Sequence, residues 1–190
     1  MRSTIAYLLL SAASVGGLLM VLHAGPSHGA AEPAGNPPEP RFPEVRGSNL
    51  DGQEFSFPGD FEGDHNLLFI AFERGQQAEV DTWLPLARTL EDDFPGVRAY
   101  ELPTIKELPG FVRGFIDRGM SGGIKDPRAR ASTVTLYLDK KPFRASLGIT
   151  TEATITVLVV DRTGTVLWQT VGWWTPEKER ALREVVGGKP

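Results

Sequence analysis

"NLLFIAFERGQQAEVDTW", residues 66–83, joins two different patterns. From Leu67 to Phe72 every residue is apolar. The run is too short for a typical helix and apolar on both faces, which predicts a central strand covered on both sides. From Gln77 onward, apolar side chains recur at Val80, Trp83, Leu84, Ala87 and Leu90, the spacing of one helix face. Pro85 should kink that helix unless its first turn starts later. Between the two lies the charged turn Glu73-Arg74-Gly75-Gln76. In α/β proteins such a strand-to-helix junction is where ligands and catalytic groups are held.

Working outward, "EVRGSNLDGQEFSFPGDFE" (44–62) alternates around Leu50-Asp51-Gly52-Gln53, a hairpin signal. "VRAYEL" (97–102) reads as a second strand. "ELPGFVRGFIDRG" (107–119) reads as a helix with Phe111, Val112, Phe115 and Ile116 on one face, and Gly119, Gly122 and Gly123 mark a long loop after it. "STVTLYLD" (132–139) alternates as a strand, with Val134, Leu136 and Leu138 on one side, and a short helix or turn follows over 142–148. "TITVLVVD" (154–161) and "TVLWQTVGWW" form a hairpin through Arg162-Thr163-Gly164. Thr175-Pro176-Glu177 opens a last helix with a capping hydroxyl, a proline at the first helical position and an acid in the first turn. Gly187 and Gly188 end it. Alternating β and α elements closed by a hairpin and a helix predict an α/β sandwich with a mixed sheet.

The two ends of the chain differ in kind. "MRSTIAYLLLSAASVGGLLMVLHAG" carries one arginine and then an uncharged apolar stretch, and small residues follow near Ala30 and Ala31. This is the pattern of a secretory signal peptide over residues 1–31, or of an uncleaved signal anchor, with cleavage favoured. An uncleaved segment would tether the protein to a membrane through residues 5–24. Residues 32–43, rich in proline, read as a flexible spacer, and 44–190 as one domain. The reading is an exported protein, in a bacterial periplasm or on the extracytoplasmic face of the inner membrane. With 41% hydrophobic and 23% charged residues the composition is that of a globular protein. The net charge of −4, with no basic run, excludes a nucleic-acid partner, which would need a concentrated positive footprint. There is no cysteine, so stability must come from the core without disulfides.

The stretch at 66–83, taken with "ASLGITTEATITVLVVDRTGTVLWQTVGWWTPEKERAL", resembles the thioredoxin-like superfamily in its peroxiredoxin and thiol-disulfide-reductase branch. Strand, turn and helix match in order, as do a Leu-Gly-Ile step, the "VVDRTG" hairpin and the terminal helix. The likeness covers residues 44–187 and implies a thioredoxin-like α/β/α sandwich with a central mixed sheet and an N-terminal β-hairpin. Within that superfamily the chain is most similar to the mitochondrial ATP-synthase assembly factors that chaperone the membrane sector. Arg144, Asp161, Gly164, Trp168 and Gly172 fall where such proteins carry similar residues, and "ELPGFVRGFIDRGM" places basic residues ahead of a Gly-rich loop.

The resemblance lays Glu73, Arg74, Gly75 and Gln76 on the four positions of the thioredoxin CxxC motif. In that motif the helix N-terminus lowers a thiol pKa and the thiolate attacks. Glu and Gln at the two ends can neither form a disulfide nor reduce a peroxide, which excludes thiol oxidoreductase and thiol peroxidase chemistry. The family's cis-proline, expected near Ile155, is absent as well. A carboxylate at a helix N-terminus is favoured by the macrodipole, so capping by Glu73 is the first reading and recognition of a protein client the second. Hydrolysis lacks a neighbouring His or second carboxylate. No catalytic residue, cofactor or metal site is assigned. His65 has no ligand-spaced companion, Glu91-Asp92-Asp93 reads as a solvated helix end, and "KDPRAR" (125–130) reads as a solvated basic loop.

Arg113, Trp168, Trp173 and Trp174 are the candidates for partner binding. Adjacent strand residues face opposite sides, so one of Trp173 and Trp174 should be exposed. The expected function is a redox-inactive chaperone or assembly factor for an envelope or membrane complex, its partner a protein client such as a membrane-complex subunit. The alternatives are an enzyme with a non-thiol site at Glu73, Arg74 and Arg113, or a small-ligand carrier using a Trp-rich pocket.

Overall fold

The computed structural model describes residues 40–110, 119 and 122–188. The predicted N-terminal hairpin forms from β1 (Val45–Asn49) and β2 (Glu54–Phe57), with Gly52 at φ 86° in its turn. Strand β3 (His65–Ala71) leads through a short 3-10 turn (Arg74–Gln76) into α1 (Gln77–Asp93). That helix runs on through Pro85. Then come β4 (Val97–Lys106), α2 (Pro127–Ser132), β5 (Val134–Leu138) and α3 (Lys140–Ser146). The chain closes with β6 (Thr156–Val160), β7 (Val166–Val171) and α4 (Pro176–Gly187).

The strands form one seven-stranded sheet in the order β2-β1-β5-β4-β3-β6-β7. The β5/β4 and β4/β3 pairs are parallel and the remaining pairs antiparallel, which makes the sheet mixed, as expected. β3 is buried along nearly its whole length because each face packs on its own core. On one face Leu67 and Phe69 meet Val80, Trp83, Ala87 and Leu90 of α1 and Leu182 and Val186 of α4. On the other, Leu68 and Ile70 meet Phe55 and Phe57 of the hairpin, Phe61, and Phe143 of α3. Period-2 alternation in the strands and the helical spacing of α1 and α4 produce these two layers directly.

Three sequence expectations change. The basic stretch 125–130 is a loop only up to Asp126, which caps α2 by accepting from the Arg128 N–H, and Arg128 and Arg130 are ion-paired to Glu91 and Asp51. An N-cap carboxylate followed by proline at the first helical position nucleates the turn. Gly122 and Gly123 likewise have helical backbone instead of marking a loop. The domain also starts earlier than residue 44. Arg41 bridges Thr165, the Phe42 N–H donates to the Gly164 carbonyl at 2.7 Å, and the Phe42 ring is buried against Phe57, Phe61 and Phe143. A bulky aromatic inside a proline-rich run was the one apolar signal there. The helix face of Phe111, Val112, Phe115 and Ile116, together with Arg113, lies outside the described residues, as do residues 1–31.

Candidate functional site at the strand-to-helix junction

The turn after β3 is held by Gln76. Its side chain is only 5% exposed; its Oε1 accepts from the N–H groups of Phe72 (2.8 Å) and Glu73 (3.3 Å), and its Nε2 donates to the Glu152 carbonyl at 2.6 Å. Glu73 occupies the N-cap place of the 3-10 turn in extended conformation, and Gln76 closes the capping box from the third position. Glu73, Arg74 and Gly75 are exposed. Glutamine is suited to this role because one amide supplies both an acceptor and a donor.

Beside the turn, Lys140 donates from Nζ to the Phe72 carbonyl and to Glu152 Oε2, both at 3.1 Å, and lies 5.5 Å from the centre of the Phe72 ring. Arg144 Nη1 donates to Glu152 Oε1 at 2.9 Å. Partial burial works against the charge on Glu152, but hydrogen bonds from Lys140 and Arg144, with their positive charges, outweigh it and hold the carboxyl below its usual range. The base of the turn is therefore a closed network of Gln76, Lys140, Arg144 and Glu152.

On the other side, Glu79 in the first turn of α1 reaches across to the segment that precedes β6. Its Oε2 accepts from the Thr154 hydroxyl and from the Ile155 N–H. Ile155 stands where the resemblance would place a proline, which has no N–H to offer. Here that position carries a donor, and the donor is satisfied from within the chain. Gly172 closes over the same point at φ 76°; a Cβ there would stand 3.1 Å from the Thr154 hydroxyl. Its carbonyl accepts from the buried Trp83 Nε1 at 2.9 Å.

The strand ends at Val171, before the two adjacent tryptophans, so their different exposure does not come from strand alternation. Trp173 is 54% exposed, while Trp174 is half-buried, its Nε1 donating to Glu179 at 3.2 Å. Trp168 packs edge-on against Trp83, with ring centres 6.5 Å apart. Through Glu79, Thr154 and Gly172, the turn at 73–76 and Trp173 share one end of the sheet. Trp168 lies further along β7 and outside that group.

Sequence reasoning missed a second feature. Glu101 on β4 is only 9% exposed and opens on a cleft of about 60 Å³ between α1 and α2, walled by Phe69, Leu84, Ala87, Arg88 and Arg128. Ligand pockets for organic molecules run to about 300–1,000 Å³, so this cleft is of water or ion size. Burial pushes the Glu101 carboxyl up from its ordinary value of 4.5; Asp81 adds to this, while Gln77 and Arg88 work against it. The signal was present: Val97, Ala99 and Glu101 share one strand parity, so the acid had to face α1. Glu79 was legible as a first-turn acid, but its partner, 75 residues away at Thr154, was not.

No protein-family model matches the sequence, and no curated protein does either. Solved structures do match. A thiol:disulfide interchange protein from Bacteroides sp. superposes with a TM-score of 0.53 at 17% identity, covering 79% of this chain and 90% of that one. An exposed lipoprotein thioredoxin from Streptococcus pneumoniae gives 0.51 at 12% identity, covering 77% and 100%. A member of the Sco family of cytochrome c oxidase assembly proteins gives 0.50 at 12%, covering 81% and 98%. The fold is thioredoxin-like. The likeness to ATP-synthase assembly factors has no counterpart among these three.

Proposed function

We propose that this chain is an exported, redox-inactive member of the thioredoxin-like fold that binds protein, serving as a chaperone or assembly factor for an envelope or membrane complex. The observation that carries the reading is the occupation of the thiol positions. Glu73 and Gln76 stand there in a chain without cysteine, and the buried amide of Gln76 is tied to the backbone of Phe72, Glu73 and Glu152. What the junction still offers to a partner is a surface: the exposed turn Glu73-Arg74-Gly75 and the exposed indole of Trp173 at the same sheet end. Exposed aromatics of this kind are the side chains that anchor protein partners.

Two structural neighbours give the reading its setting. One is an exposed lipoprotein thioredoxin and the other belongs to a family of cytochrome c oxidase assembly proteins. Together with the N-terminal apolar segment they support an extracytoplasmic location. The test is site-specific photocrosslinking in vivo from Arg74 and from Trp173. Recovery of one and the same membrane- or envelope-complex subunit from both positions is expected. Absence of any reproducible partner, with membrane complexes unaltered on deletion of the gene, overturns the reading.

A further inference from the structure

Among the described residues Glu101 is the only Asp, Glu, Lys, Arg or His that is buried. It accepts one long hydrogen bond, from Gln77 Nε2 to its Oε2 at 3.3 Å. No donor among the described residues reaches its Oε1, and no ion pair there includes it. A carboxylate withdrawn from water is costly unless it is both paired and hydrogen-bonded. Glu101 has half of what it needs.

The charges around it cancel without it. In the cleft on which it opens, Arg88 is matched to Asp126 at 3.4 Å and Arg128 to Glu91 at 2.7 Å. Arg88 also attracts Glu101 without forming an ion pair, and Asp81, on the same helix, repels it. An outer hollow of about 270 Å³ adjoins the cleft, and the two share the walls Glu91, Ala99, Tyr100, Arg128 and Ser132. There Arg98 faces Glu62 at 3.8 Å. Of the acids along the two spaces, Glu101 is the one left without a cation.

Size and wall chemistry narrow what could supply the missing charge. The inner cleft, about 60 Å³, has room for about two waters at about 30 Å³ each. No group of three metal-ligating side chains exists among the described residues, so a divalent ion has no cage here. A guanidinium brings five donors in a rigid fork, more than this small cleft can satisfy. A primary ammonium brings three donors on a slender stem. Glu101 Oε1 takes one, and the hydroxyl of Ser132, which lines both spaces, has lone pairs for another. Leu84, Ala87 and Phe69 give the methylenes an apolar wall.

We infer that the cleft between α1 and α2 binds a primary alkylammonium group, with Glu101 as its counter-charge and the outer hollow holding the rest of the amine. The pair is a charge-assisted hydrogen bond at a site largely closed to water. With the outer hollow included, the space reaches the lower end of the about 300–1,000 Å³ that organic ligands occupy. A free amine and the lysine side chain of a protein share this chemistry. Glu73, Arg74 and Trp173 take no part in it, so the partner-binding reading neither carries the site nor falls with it.

The probe is n-propylammonium chloride, added to the purified full chain at pH 8, where an alkylamine keeps its proton, against sodium chloride of equal ionic strength. Amide resonances of Ala99, Glu101 and Ser132 should shift saturably, and the urea midpoint should rise over the same concentrations. Tetramethylammonium, which has the charge but no N–H, should bind at least tenfold more weakly. Glu101→Gln, of equal size without the charge, should lose at least tenfold in affinity while the rest of its spectrum stays in place. Tighter binding of Nα-acetyl-lysine methylamide than of putrescine assigns the cleft to a partner's lysine, and the reverse order assigns it to a free amine. No saturable shift in the unaltered protein, or equal binding by Glu101→Gln or of tetramethylammonium, overturns the proposal and leaves Glu101 a buried neutral acid.

Discussion

At Gln76 one amide satisfies two backbone donors at the end of β3 and one carbonyl before β6. Replacing it with alanine would leave buried polar groups unpaired, each costing about 1–3 kcal/mol. Gln76→Ala should therefore lower the unfolding free energy by about 2 kcal/mol in urea titration, while Arg74→Ala, at an exposed position, should stay within about 0.5 kcal/mol. Glu101 gives a prediction of opposite sign. Its folded carboxyl is raised above the ordinary 4.5 by burial. Between the two values the folded state holds more protons than the unfolded one, so this residue's contribution to stability falls as pH rises through that window. Glu101→Gln should unfold at a higher urea concentration than the unaltered protein at pH 7, and the gap should close below about pH 4. A constant gap across pH would show that the carboxyl does not titrate abnormally.

The β6–β7 hairpin shows at the scale of an element how much a turn depends on remote neighbours. Asp161 Oδ1 accepts from the N–H groups of Thr163 and Thr165, both at 2.8 Å, and Gly164 takes φ 85°. The Asp-Arg-Thr-Gly signal was readable in the sequence. What could not be read is that a Cβ at Gly164 would stand 2.9 Å from Pro58 and 3.4 Å from Phe42, both distant in the chain. Left-handed strain and the clash together put Gly164→Ala at about 2–4 kcal/mol, measurable as a lowered melting temperature. The same division runs through the other elements. β3, α1 and α4 were legible because their signals are local: an unbroken apolar run, a helical spacing and a capping sequence. α2 was not, because six residues carry too little periodicity, and its cap at Asp126 resembled one more charge in a charged run. The degenerate motif was legible by position; the network beneath it, formed with Lys140, Arg144 and Glu152, depends on tertiary approach.

For the whole molecule, the point at which the chain enters the domain matters more than its proline content implied. Phe42 closes the bottom of the aromatic layer and holds the arm against β7. A buried phenylalanine cut to alanine costs about 3–5 kcal/mol. Phe42→Ala should lose stability on that scale in denaturant titration and loosen the 40–42 pairing, seen as faster amide exchange at Phe42 and Val166. Equal exchange in the two proteins would show that the arm is held by its backbone alone.

The carboxylate of Glu79 decides what a thiol pair placed at this turn would meet. In this molecule the N–H of Ile155 and the hydroxyl of Thr154 are already spoken for, and Gln76 is built into the core. Cysteines introduced at 73 and 76 would sacrifice the buried amide, while Glu79 kept its hold on Thr154 and Ile155. The thiols would thus come with a loss of stability from the unpaired backbone groups. A thiol pair at this turn would therefore need the floor beneath it rebuilt, and two substitutions would not supply that.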